Sequence, residues 1–414
     1  MRTPLTALVL IGMCACGSAG AARGPTPAAT TSPASTVAPA PTPSDPIGAP
    51  SETASAPTTA AFTPSPTAAG TCSNASALST WSVTRLAEQT VVVPVDEGHV
   101  ASVTPEVAAG AGGMILFGTS APATLAADLH RLSAVAPNGV KPFVMTDEEG
   151  GDIQRMANLV GSIPSARKMG ATMTPAQIHD LALGLARRLR AAGVTMDLAP
   201  VLDVDGGQGP NDRNPDGRRS FSEDQRIAAA DGLAFAAGLR AGGIVAVVKH
   251  FPGLGGATGN TDVTRASTPP WSTLQRNGLV PFQDAVDARV PAVMIANASV
   301  PGLTDLPASV SPAAITTVLR DRLGYQGLVI TDSLSAIALS AIGYSVPAAA
   351  VAAIEAGADL VLYDAHPAEM APLTNQVVAA LVSAVGSGKL DRGRLVSAVA
   401  HILTAKGVDL CAAA

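Results

Sequence analysis

The sequence predicts a single (β/α)8 barrel of the TIM type. Three observations carry this reading. From residue 91 onward, eight short apolar runs alternate with segments of helical length. Most runs are apolar throughout and rich in Val, Ile and Leu, which marks strands buried on both faces, as in parallel sheets. Reactive side chains fall at the C-terminal ends of those runs, where a barrel keeps its chemistry. A doubly wound open sheet is the alternative fold. No G-x-G-x-x-G follows the first run, which argues against a dinucleotide-binding form of it.

The elements follow in order. Arg2, then the apolar run Leu5 to Met13, has the charge-then-core pattern of an export signal. That run is too short to span a bilayer as a permanent helix. Met13-Cys14-Ala15-Cys16 resembles a bacterial lipobox, so residues 1–16 read as a signal with Cys16 as the lipidated residue. An ordinary cleaved signal is the other reading. Residues 17–70 are Ala, Pro, Thr, Ser and Gly with almost no large apolar side chain, so they read as a disordered tether. The folded domain is expected over 71–414.

Within that domain the strands are expected at Val91–Val95, Met114–Phe117, Pro142–Thr146, Val194–Leu198, Ile244–Lys249, Ala292–Ile295, Gly327–Thr331 and Asp359–Leu362. Helices are expected at Pro175–Ala192, Glu223–Ala241, Leu274–Ala288, Pro312–Leu323 and Val346–Ala356. Gly193, Gly242, Gly324 and Gly357 follow as C-caps. Cys72 and Cys411 bracket the domain and form a disulfide in an oxidising compartment, or remain two thiols.

Composition narrows the function. The 414 residues are 47% hydrophobic, 14% charged and 3% aromatic, with a formal net charge of −6. No Lys/Arg-rich run occurs, so nucleic acid is not an expected partner. With 2 Trp, 3 Tyr and 7 Phe there is little material for an aromatic platform along a long polysaccharide. A compact pocket of hydrogen-bonding groups fits better.

Four strand ends carry that chemistry. The third ends in Asp147-Glu148-Glu149-Gly150-Gly151, with Arg155 beyond; acids beside paired glycines suit a ligand site, or form an acidic turn. The fourth leads through Asp203 into a long loop bearing Arg218-Arg219-Ser220-Phe221. The fifth ends Lys249-His250-Phe251-Pro252-Gly253, and burying that Lys and His is costly without partners. The seventh ends Thr331-Asp332-Ser333, a carboxylate at the barrel mouth that is a nucleophile or a helix N-cap.

Together these motifs resemble the β-N-acetylglucosaminidases of glycoside hydrolase family 3, over roughly residues 80–405 and most closely the lipoprotein type of actinobacteria. Asp147-Glu148-Glu149-Gly150-Gly151 with Arg155 matches D-x-E-G-G…R, Arg219-Ser220-Phe221 matches R-S-F, and Lys249 to Gly253 matches K-H-F-P-G. Asp332 falls at the catalytic Asp. The resemblance implies a retaining mechanism. Asp332 attacks the anomeric carbon, and water releases the sugar from the covalent intermediate. Asp147, Arg155, Arg219, Lys249 and His250 hold the hydroxyls and the N-acetyl group. No metal or organic cofactor is implied. The expected substrates are saccharides or muropeptides with terminal β-linked N-acetylglucosamine, and the expected protein is a monomer, exported and either lipid-anchored to the outer face of the cell membrane or secreted.

The sequence departs from the family in the loop after the fifth strand. Relatives carry D-x-H there, whose His is the acid/base. Here the loop reads Gly253-Leu254-Gly255-Gly256-Ala257-Thr258-Gly259-Asn260-Thr261-Asp262, and no His occurs between His250 and His366. Ala296-Asn297-Ala298 stands where relatives have A-H-[IV]. Asp262 is the candidate replacement, swung over the sugar by a mobile glycine-rich loop. The alternatives are an enzyme without a strong acid, a phosphate-dependent phosphorylase, and a sugar-binding lipoprotein without turnover.

Overall fold

The structure is a computed structural model and describes residues 73–412. The expected signal, Cys16, the tether 17–70 and Cys72 lie outside the described residues.

Eight parallel strands form the barrel: β1 Val91–Asp96, β2 Gly113–Phe117, β3 Phe143–Thr146, β4 Met196–Asp197, β5 Val245–Phe251, β6 Ala292–Ile295, β7 Leu328–Thr331 and β8 Val361–Leu362. Each pairs with its sequence neighbour, and β1 pairs with β8. A parallel bridge between Ile330 and Leu360 closes the ring. The strand interiors are largely apolar because both faces are covered, and the polar residues fall at or near the strand ends. Val92, Ile115, Met145, Val247, Met294 and Ile330 fill the barrel. Their neighbours Val93, Leu116, Val144, Val248, Val293 and Val329 face the helices. Phe235 on helix Gln225–Ala241 is fully buried in that outer layer, and burying such a ring contributes about 1.5–3 kcal/mol. Ile402 of the last helix, Arg392–Ala405, seals the N-terminal end of the barrel.

Helices begin where the sequence supplies caps. Thr174 and Gln177 form a capping box ahead of Pro175–Ala191, and Asp224 accepts from the amides of Arg226 and Ile227. Two expectations need correction. The helix expected at Leu274–Ala288 is broken into Trp271–Leu274 and Val280–Asp287. Gly278 packs against Gly253, so the chain turns there, and Pro281 starts the second piece without needing an N–H partner. Gly242 is the C-cap residue but sits at φ −83, not in the left-handed region, which Gly243 takes at φ 81. A side chain at Gly242 would meet Ala186 Cβ at 2.3 Å, so close helix packing requires the glycine.

Candidate active site

A cavity of about 300 Å³ opens at the C-terminal end of the barrel. Every expected catalytic and substrate-binding residue lines it: Asp147, Arg155, Arg219, Lys249, His250, Asp262 and Asp332. Its floor is the apolar top of the barrel, Ile115, Met294 and Leu362. A larger hollow of about 520 Å³ lies at the other end beside Tyr325 and His401; it is lined by no carboxylate.

One side of the pocket is an ion-pair lattice. Lys249 Nζ donates to Asp147 Oδ1 at 2.9 Å and lies 2.7 Å from Glu149 Oε1. Arg219 grips Glu149 through Nε and Nη2 at 2.7 and 2.8 Å, a bidentate geometry that fixes the guanidinium plane. Arg155 reaches Asp147 more loosely, at 3.5 Å. Burial alone would raise Asp147 and Glu149, but Lys249 with Arg155 lowers the first, and Arg219 with Lys249 lowers the second. Burial would lower Lys249 and Arg219, and the same carboxylates raise both. The lattice is therefore fully charged and presents fixed donors to a ligand.

The local backbone holds it in place. Glu148 turns away from the cavity and accepts from the amides of Arg155 and Met156, each at 2.7 Å, folding the 148–156 hairpin back on itself. In β5 the register shifts between Val248 and Phe251, a bulge that lets Lys249 and His250 both line the cavity despite being neighbours.

The opposite side carries the acids. Asp332 follows β7, its amide bonded to the Ile295 carbonyl, and its Oδ1 accepts from the Ser333 amide at 2.8 Å. It is no helix cap: the next helix starts at Ile337 with Ala336 as N-cap. Burial raises Asp332; His250 works against this and Asp262 adds to it. Burial also raises Asp262, against Arg219 and together with Asp147 and Asp364.

The loop bearing Asp262 is docked against its neighbours at the mouth of the pocket. The Ala338 amide donates to the Thr261 carbonyl at 3.0 Å, the Asn260 amide to Asp212, and the Thr258 amide to Ser267. Its glycines serve close approach: a Cβ on Gly255 would sit 2.2 Å from the Val204 carbonyl oxygen. Asn260 Oδ1 caps the turn by accepting from the Asp262 amide at 3.0 Å, which leaves the Asp262 carboxylate to the cavity.

Sequence reasoning left out Glu149, Asp203, Asp216 and Asp364 as site residues. Glu149 stood inside the D-x-E-G-G match and Asp203 at a strand end, so both had a signal. Asp364 follows β8 and lines the mouth, and Asp216 is buried beneath the pocket; neither sits in a motif. Asn297 proves structural: its Nδ2 donates to the Ser333 carbonyl at 2.7 Å and anchors the segment after Asp332.

A closed parallel barrel with two carboxylates facing an ion-pair lattice at its C-terminal mouth fits a glycosidase. The model of the glycosyl hydrolase family 3 N-terminal domain matches residues 95–405, and the chain belongs to that family. It is 36% identical over 303 residues to the β-hexosaminidase LpqI of Mycobacterium tuberculosis (strain ATCC 25618 / H37Rv), covering 71% of this chain and 76% of that one. It is 32% identical over 283 residues to a β-hexosaminidase of Stenotrophomonas maltophilia (strain K279a), covering 65% and 82%. A solved family 3 glycosyl hydrolase from Mycobacterium smegmatis str. MC2 155 superposes with a TM-score of 0.72 at 32% identity, covering 82% of this chain and all of that one.

Proposed function

We propose that this glycosidase removes terminal β-linked N-acetylglucosamine with retention, from peptidoglycan fragments at the cell envelope. The observation that carries the reading is the shared pocket of Asp332 and Asp262, opposite the charged Asp147–Lys249–Glu149–Arg219 lattice. Asp332 is the nucleophile. Asp262 protonates the leaving oxygen and then activates water. Both are raised by burial, and two carboxylates in one pocket hold a single proton more readily than none or two. The roles require Asp332 ionised and Asp262 protonated: burial raises both, His250 and Lys249 oppose it at Asp332, and at Asp262 Asp147 and Asp364 add to it against Arg219. Asp147, Arg155, Arg219, Lys249 and His250 hold the sugar.

Water, rather than phosphate, is the acceptor. Asp332 and Asp364 line the mouth without an ion-pair partner among the described residues, and an anionic co-substrate would approach against them. The signal and lipobox reading supports an exported, Cys16-anchored protein, whose peptidoglycan fragments are the nearest N-acetylglucosaminides.

Incubation of the purified protein with muropeptides, with and without phosphate, followed by mass spectrometry tests this. Free N-acetylglucosamine in both conditions is expected. A sugar 1-phosphate that accumulates only with phosphate would show a phosphorylase, and intact muropeptides beside a cleaved aryl β-N-acetylglucosaminide would move the natural substrate elsewhere.

A further inference from the structure

Beneath the sugar pocket lies a buried group that the lattice and the acid pair do not use. Oxygen atoms of Asp203 and Asp216 and a ring nitrogen of His250 lie within 4.8 Å of one another, and all three residues are buried. Asp203 is saturated with donors. Its Oδ1 accepts from the Leu254 amide at 2.6 Å, and its Oδ2 accepts from the His250 amide at 3.1 Å and faces His250 Nδ1 at 2.7 Å. Asp216 is fully buried, and neither of its oxygens has an N–H partner. On the other edge of the imidazole, Arg219 Nη2 faces His250 Nε2 at 3.4 Å.

Two features fix the ring. A guanidinium can only donate, so Nε2 must offer a lone pair. Asp203 Oδ2 needs a donor, so Nδ1 must carry the hydrogen. A second buried carboxylate against Asp203 is tolerable only if one of the two is protonated. Burial pushes Asp203 itself up to about 7, but it already meets three N–H groups and Asp216 meets none, so the proton belongs to Asp216.

We propose that Asp216 is a positioning residue: a neutral carboxylic acid that donates to Asp203 and thereby locks His250 as the Nδ1–H tautomer, with the Nε2 lone pair held toward Arg219 and the cavity, where a sugar hydroxyl replaces Arg219 as its donor. A proton fits this cluster better than a divalent cation, which would have to displace the His250–Asp203 hydrogen bond with Arg219 alongside. The charged groups around it agree. Asp203, His250, Arg219 and Asp205 face Asp216, and burial followed by Asp203 raises it well above the carboxylate range. Arg219, Lys249, Asp332 and Asp216 face His250; burial followed by Arg219 lowers it to about 4, so it is neutral at pH 7.

The role in catalysis rests on the reading of the cavity as a sugar site, but the tautomer does not, so it is measured first and without substrate. Long-range ¹H–¹⁵N correlation of ¹⁵N-histidine protein, assigned by the signal lost in His250→Gln, reads both ring nitrogens. The expected wild-type pattern is a neutral ring protonated at Nδ1. An imidazolium or an Nε2–H ring at pH 7 overturns the proposal, whatever the enzyme cleaves. Asp216→Asn keeps the size and a donor, so it should retain the tautomer and stay within about 3-fold of wild-type kcat/KM. Asp216→Ala should lose roughly 10- to 100-fold, the range for removing the outer partner of a functional histidine, with mixed ring tautomers. A merely space-filling Asp216 would leave the ring nitrogens unchanged in Asp216→Ala. That result, or Asn failing as badly as Ala, or a tightly held divalent ion that disappears in Asp216→Asn, overturns the proposal. If the Ala variant does not fold, the wild-type spectrum and the Asn variant still decide.

Discussion

At the scale of single residues, the pocket raises two carboxylates that the mechanism needs in opposite protonation states. Asp332→Asn removes the attacking oxygen with almost no change in packing. It should cut turnover at least ~10³-fold while sugar binding and the thermal midpoint stay near wild type. Near wild-type turnover by the purified variant would place the nucleophile elsewhere. Asp262 gives a sharper test because its task depends on the substrate. Asp262→Ala should slow substrates with poor leaving groups far more than activated aryl glycosides, and azide should restore part of the aryl rate, since it attacks the intermediate without general-base help. The pH profile follows from the directions of the two shifts. A raised Asp332 must lose its proton, which sets an acid limb above the ordinary carboxylate range, and a raised Asp262 must keep its proton, which sets the alkaline limb. In Asp262→Ala the alkaline limb should vanish for aryl substrates and the acid limb should remain. Equal losses on all substrates with no azide rescue would take Asp262 out of the mechanism.

At the scale of elements, the eight strands were legible because burial on both faces leaves continuous apolar runs, and Val346–Ala356 was legible to the residue. What local sequence does not encode is contact between distant segments. The break in Leu274–Ala288 depends on the approach of Gly253 to Gly278, and the pairing of Asp203 with Asp216 depends on a loop folding back under its own strand end. The same limit holds for the glycine-rich loop. Gly255 looked like a source of mobility, yet the Val204 carbonyl occupies the space where a side chain would start. A methyl group there must push the loop off its bed and carry Asp262 with it. Gly255→Ala should therefore mimic Asp262→Ala in its substrate selectivity, with losses of ~10-fold or more on poor leaving groups, while the barrel's thermal midpoint moves by only a few degrees. A large drop in the midpoint with uniform loss of rate would mean that the loop supports the fold rather than the acid.

At the scale of the whole molecule, the two ends of the domain meet beneath the barrel, away from the pocket. Asn74 Nδ2 donates to the Val408 carbonyl at 2.8 Å, and its Oδ1 accepts from the Leu410 amide at 2.9 Å. Arg392 Nη2 ties the last helix to the Ser79 and Trp81 carbonyls at 2.8 and 2.7 Å. These bonds set residues 74 and 410 side by side, two positions from Cys72 and one from Cys411. We therefore predict a Cys72–Cys411 disulfide in the exported protein. In the chain-entropy limit, closing a loop of about 340 residues stabilises by roughly 6 kcal/mol if unstrained. The hydrogen bonds hold the ends together without the link, so reduction should lower the thermal midpoint by several degrees and leave kcat and KM unchanged, because the catalytic mouth is at the other end of the strands. Cys72→Ser with Cys411→Ser should reproduce the reduced protein and become insensitive to reductant. Non-reducing peptide mapping decides the matter directly: recovery of both cysteines alkylated without prior reduction rules the link out, and unchanged melting on reduction would show that the hydrogen-bonded ends already carry the closure by themselves.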